Sequence, residues 1–244
     1  MLITKEIFNY IANMCGRKTL TRSKRAIIEE LMIDDWQIED YLPSYNIAPT
    51  QHSTVMIQAN ESNIAKRMKW GLIPNWSKND SFSSKMINAR LETLRSKPSF
   101  KDLIYEKRCI VPSDGYYEWK QDGPHKTAYF INRKDNRLLL FAGLWTLWPS
   151  PSGPVYTYTI ITTKAQQDIA HIHNRMPVIL DKSKVDKWLN IENRSFEIQE
   201  AISQNKESLD HYQVSNFVNS PNNNSKRCIT PSKEPVNLNL FDNK

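Results

Sequence analysis

Four short stretches set a titratable or amide side chain inside an apolar or aromatic frame. They are Met14-Cys15-Gly16-Arg17, Ile87-Asn88-Ala89-Arg90 followed by Glu92-Thr93, Gly115-Tyr116-Tyr117-Glu118-Trp119, and Ile172-His173-Asn174-Arg175-Met176-Pro177. Cys15 with His173 is the nucleophile and base combination of a cysteine hydrolase. Taken singly, each stretch also has a plain structural reading. Cys15 suits a buried small hydrophobe, Glu118 an exposed strand carboxylate, His173 a satisfied core histidine and Asn88 a turn residue. His171-Ile172-His173 has the look of a metal pair, but no cysteine or carboxylate cluster stands at ligand spacing, so no metal site is expected.

The elements that must position these groups are short and mixed. Residues 21–33 read as an amphipathic helix with Thr21 or Ser23 as N-cap. The stretch 41–51 is aperiodic, with Pro43 and Pro49 enforcing extended backbone. Strands are expected over 54–58, 65–73, 107–112, 115–120 and 155–162, with Ser113-Asp114 turning between the third and fourth. Residues 126–133 and 137–145 read as a hairpin around Lys134-Asp135-Asn136. Thr163 to Gln166 has the pattern of a capping box opening a short helix, and Asp181 and Ser195 are caps for two more. Strands and helices alternate without a βαβ rhythm. The expected fold class is therefore α+β: a single domain with a largely antiparallel, barrel-like β-sheet core and peripheral helices. Residues 220–244, rich in Asn, Ser, Pro and Lys, read as a disordered tail.

Charge narrows the partners. The 244 residues carry 33 Lys and Arg against 26 Asp and Glu, a net +7. Eleven of the basic residues lie between Lys66 and Arg108, against only Asp80, Glu92, Asp102 and Glu106. Trp70, Trp76, Phe82 and Phe100 share that segment, and cations interleaved with aromatics suit single-stranded nucleic acid as well as a solvated surface over core rings. Three cysteines without a CxxC rule out a disulfide framework and point to a reducing compartment. No run of about 18 apolar residues is present, so no membrane contact is expected. The first fourteen residues lack the apolar core of a signal peptide, and the expected location is the cytoplasm, at the nucleoid.

Together with Ser44 to Gln51 (SYNIAPTQ) and Lys69 to Trp76 (KWGLIPNW), the four stretches resemble the SRAP family of SOS-response-associated peptidases and abasic-site-processing proteins. Cys-Gly-Arg, Tyr-Asn-x-Ala-Pro, Trp-Gly-x-x-Pro, Asn-Ala-Arg-x-Glu-Thr, Glu-Trp and Ile-His-x-Arg-x-Pro occur in the family's order from Cys15 to about Asn219. The resemblance implies a single α+β domain over 15–219 with a basic cleft for single-stranded DNA, and no cofactor. It places Cys15, Asn88, Glu118 and His173 at catalytic positions. It places Arg17, Asn46, Pro49, Trp70, Arg90 and Arg175 along the DNA. In the family the cysteine directly follows the initiator Met, whereas here residues 1–14 form an N-terminal extension ending in Met14, expected to be removed or not translated.

The implied chemistry needs a terminal cysteine. Its α-amine condenses with the aldehyde of an opened abasic sugar, and its thiol then closes a five-membered thiazolidine. With a pKa near 7.8, roughly a quarter of such amines are neutral at about pH 7.4, against about a thousandth for lysine. Ring closure is intramolecular, which favours it further. In this scheme Glu118 moves protons between the amine and the departing hydroxyl, His173 protonates the opening sugar ring, Asn88 orients the sugar hydroxyl and the arginines hold phosphates. A Schiff base at that sugar also permits β-elimination, hence lyase activity. A cysteine hydrolase and a non-catalytic single-strand-binding module are the other readings. In the tail, Asn237 to Phe241 (NLNLF) resembles the pentapeptide that binds the bacterial replication sliding clamp.

Overall fold

The computed structural model describes residues 16–192 and 208–232. In chain order the strands are β1 (Lys18–Leu20), β2 (Asp35–Trp36), β3 (Ser44–Ile47), β4 (His52–Ala59), β5 (Ser62–Trp70), β6 (Asn88–Arg90), β7 (Arg108–Ser113), β8 (Gly115–Asp122), β9 (His125–Arg133), β10 (Leu139–Ser150), β11 (Gly153–Lys164), β12 (Arg175–Pro177) and β13 (Leu209–Gln213). The helices are short: α1 (Lys24–Leu31), α2 (Leu103–Glu106) and α3 (Val185–Leu189), with single 3-10 turns elsewhere. Ser23 caps α1, its side chain accepting from the Ala26 N–H.

Strands β11, β10, β7, β4 and β5 pair in that order, and parallel pairing of β5 with β11 closes them into a five-stranded mixed barrel. The second sheet, β13-β9-β8-β1-β3, is antiparallel throughout. Closure leaves the barrel strands no free edge. Val55, Ile57, Ala65 and Met68 join Ile110, Leu144 and Tyr158 in the main core.

The expected hairpin at 134–136 is not one. β9 pairs with β8 and β13, whereas β10 pairs with β7 and β11, so the chain changes sheet at this turn. The run Leu139 to Ala142 is buried at every position, as a strand covered on both faces requires. The turn at Ser113-Asp114 likewise passes from barrel to second sheet. Asp114 secures it by accepting from the Thr21 N–H and pairing with Arg22.

Thr163 to Gln166 opens no helix. Thr163 and Lys164 are still strand, paired with Met176 and Arg175, and the Gln166 N–H goes to the Met176 sulfur. Only a helical turn follows, from the Gln166 carbonyl to the Ala170 N–H. Asp181 does cap, accepting from the Ser183 N–H, but it caps a 3-10 turn that leads into α3. Ser195 lies outside the described residues.

Residues 220–232, expected in the disordered tail, are folded. With Val214 and Val218, Cys228 packs under the outer face of the second sheet against Tyr117, Ala128 and Phe130. Val214 bridges Pro231, and the Tyr212 hydroxyl donates to the Ile229 carbonyl. A single apolar cysteine among polar residues gave little hint of this second core. Among the described residues, no helix is long and apolar enough to cross a membrane.

Candidate active site

Glu118 owes its place to the register of β8. The Tyr117 N–H donates to the Arg17 carbonyl, carrying the β1–β8 pairing of Lys18 with Tyr116 one residue further. Side chains alternate along a strand, so Tyr116 and Glu118 face the barrel while Tyr117 faces the outer core. Glu118 is 3% exposed, and its Oε1 lies 4.0 Å from His173 Nδ1.

His173 sits in the turn entering β12. Its Nδ1 accepts the Arg175 N–H at 3.1 Å when it carries no proton. In the imidazolium form, Nδ1–H faces the Arg175 carbonyl at 3.2 Å and the Glu118 carboxylate at 4.0 Å. Both protonation states therefore have partners, as a group that gives and takes a proton requires.

Asn88 and Arg175 lie on either side of β11. Ile160 donates its N–H to Ile87 beside β6, whereas the Ile161 carbonyl accepts from Val178 beyond β12. Backbone groups of successive residues point to opposite edges, so β6 and β12 flank the last residues of β11. Asn88, opposite Ile160, is buried, and Arg90, opposite Thr162, is exposed. Arg175 holds Glu92 bidentately, Nη1 to Oε1 at 2.6 Å and Nη2 to Oε2 at 2.9 Å, and Nη2 also donates to the Thr162 carbonyl at 2.7 Å. That guanidinium holds the Glu92 carboxyl below its usual range.

Three residues expected along the DNA are held by contacts within the fold. Trp70 is 1% exposed, stacked on Tyr158 with its Nε1 donating to Ile87, so its ring has no face for a base. The aromatic that does reach solvent is Trp76, 59% exposed and set edge-on to Phe82. Asn46 is 1% exposed. Its Nδ2 donates to the carbonyls of Val218, Ser220 and Asn223, and its Oδ1 accepts from Arg17. It ties the C-terminal segment to β3 and has no surface for DNA. Arg17 is committed with it, donating to Asn46 and to the carbonyls of Val218 and Asn219 beside the Trp119 ring. Burial lowers the pKa of its guanidinium. Pro49 is half-buried in the turn before β4. Cys15 and residues 237–241 lie outside the described residues.

Sequence reasoning passed over Lys18, whose Nζ is buried against Ser53 Oγ at 2.7 Å and the Pro112 carbonyl at 3.2 Å. It also gave Glu92 no role. The ion pair was legible only as a motif letter, because its partner is 83 residues away. Among the described residues, no group of three or more His, Cys, Asp or Glu could hold a metal ion.

A family model described as SOS response associated peptidase (SRAP) matches residues 14–221. The chain is 44% identical over 221 residues to the abasic site processing protein YoqW of Bacillus subtilis, covering 88% of this chain and 99% of that one. It is 36% identical to the abasic site processing protein HMCES of Gallus gallus over 78% of this chain and 67% of the relative. Among solved structures, a Bacteroides thetaiotaomicron protein superposes with a TM-score of 0.78 at 28% identity, covering 89% of this chain and all of that one.

Proposed function

Because the chain belongs to the SOS response associated peptidase family, we propose that it binds single-stranded DNA and captures abasic sites covalently through Cys15. The observation that carries this reading is the buried Glu118 carboxylate 4.0 Å from His173, on a strand whose Tyr117 N–H donates to the carbonyl of Arg17, two residues from Cys15. Cys15 directly precedes Gly16 in the chain, and the reaction requires its amine and thiol to meet the buried Glu118 carboxylate and the His173 imidazole. The family match opening at Met14 supports Cys15 as the first residue of the active form.

The steps balance without a cofactor. His173 passes a proton to the sugar ring oxygen and recovers one from the C1 hydroxyl as the furanose opens to an aldehyde. The α-amine of Cys15 adds to that carbon, and Glu118 carries its two protons in turn to the former aldehyde oxygen, the first making a hydroxyl and the second releasing it as water to leave a neutral imine. The thiol sulfur adds to the resulting imine carbon while its proton goes to the imine nitrogen, closing the thiazolidine. Asn88 orients the ring-opened sugar, Arg90 and Arg175 hold phosphate, and Trp76 stacks a base. β-Elimination from the imine provides lyase activity.

A DNA strand with one abasic site tests this. Protein beginning at Cys15 gives a shifted band that survives denaturation. Protein retaining residues 1–14, whose Cys15 amine is a peptide nitrogen, gives only a reversible, salt-sensitive shift. A merely reversible shift from the Cys15-terminated protein overturns the reading in favour of a binding module.

A further inference from the structure

We propose that Glu92 is a positioning residue for this reaction, presetting Arg175 through two guanidinium contacts and, as its counter-ion, yielding one of them to a DNA phosphate while keeping the other. The inference rests on the abasic-capture reading, but its first readout does not need an abasic site.

Glu92 follows β6 and Arg175 opens β12, on opposite edges of β11, so their bidentate pair spans that strand. Thr162, between them on β11, accepts from the same guanidinium. Three oxygens thus fix one planar group, in the fork geometry Arg shares with phosphate. The pair has consequences on both sides. Toward β6 it tethers the segment that bears Asn88 and Arg90. Toward β12 it fixes Arg175, whose backbone N–H holds His173 Nδ1. The carboxylate is half exposed, while the guanidinium is mostly covered. The exposed partner is the one an incoming anion exchanges with, and Arg90 next along β6 supplies a second cation for the same phosphate run. While the pair is intact, Glu92 cancels the charge of Arg175 and keeps intact strands loosely held.

Glu92→Gln keeps the shape and removes the charge. Binding to an intact single strand should tighten about threefold at low salt. The slope of log affinity against log salt should steepen by about 0.7, one single-strand phosphate. The capture rate of an abasic strand at saturating protein should fall about tenfold, because Arg175 and His173 are no longer fixed. Glu92→Asp, which keeps the charge, should return both readouts toward wild type. In an Arg175→Gln background, Glu92→Gln should leave the salt slope unchanged. Unchanged readouts, or looser binding and slower capture together with a lower melting temperature, would overturn the proposal, the latter making Glu92 a brace only. If wild type captures no abasic strand, the function proposed above fails, while the intact-strand salt slope still decides whether Glu92 restrains Arg175.

Discussion

At the residue scale, the proposed proton traffic falls to one carboxylate and one imidazole, and their settings differ. Glu118 is enclosed between the barrel and the second sheet, whereas His173 sits on a turn with partners for either protonation state. Glu118→Gln should slow crosslinking about a hundredfold while leaving reversible binding, as measured by quenched time courses on denaturing gels. Cys15→Ala should abolish the crosslink, and Cys15→Ser should leave only a Schiff base trappable by borohydride. Wild-type rates in these variants would remove Glu118 and Cys15 from the chemistry. The two tryptophans of the Lys69 to Trp76 stretch separate by exposure. Trp76→Ala should cost about 1–3 kcal/mol of single-strand affinity with the fold intact. Trp70→Ala should cost about 3–5 kcal/mol of stability, visible in urea unfolding.

At the element scale, the sequence was readable where one local rule sufficed and opaque where pairing was distant. Ser23 announced α1 because a cap acts within three residues. Strands over 54–58, 65–73 and 155–162 were readable in the sequence, the last from its alternation, though not which sheet each strand would join. Lys134 to Asn136 carries turn chemistry, with Asn136 at φ 57°, but a turn does not specify whether its flanking strands pair. Trp70 and Trp76 look alike in a motif. Gly71 separates their fates: at φ 120° it turns the chain so closely past Ser83 that a Cβ would lie 2.1 Å from its carbonyl oxygen. The chain leaves the barrel there, keeping Trp70 inside and carrying Trp76 out. The C-terminal segment depends on an equally distant contact. Asn46→Ala would take one donor from each of three carbonyls and one acceptor from the Arg17 guanidinium, at about 2–3 kcal/mol. Limited proteolysis should then cut within 216–232 before the barrel; equal resistance to wild type would show that the outer apolar core alone holds this segment.

At the scale of the whole molecule, the two sheets close over a charge that no catalytic step uses. Lys18 is 1% exposed, and burial pushes its amine down to about 7, with Asp114 acting weakly the other way. In the unfolded chain the same amine titrates near 10.4. Between those values the unfolded chain keeps a proton that the native fold has released, so stability rises with pH through that window and is flat below it. From pH 7 to pH 9 this amounts to about 2 kcal/mol. Two other buried groups oppose it at the alkaline end. Cys109 and Tyr158 have raised pKa values and hold their protons in the native state, so above the ordinary thiol and phenol pKa values each lowers stability as pH rises. The difference between wild type and Lys18→Met isolates the amine, because those groups are common to both. Met fills a similar volume but leaves Ser53 Oγ and the Pro112 carbonyl without their donor, a cost that does not vary with pH. Urea unfolding at pH 7, 8 and 9 should therefore show wild type gaining about 2 kcal/mol on Lys18→Met across the series. A constant difference between the two proteins would mean that the native fold keeps Lys18 charged, with Ser53 and Pro112 solvating an ammonium rather than an amine.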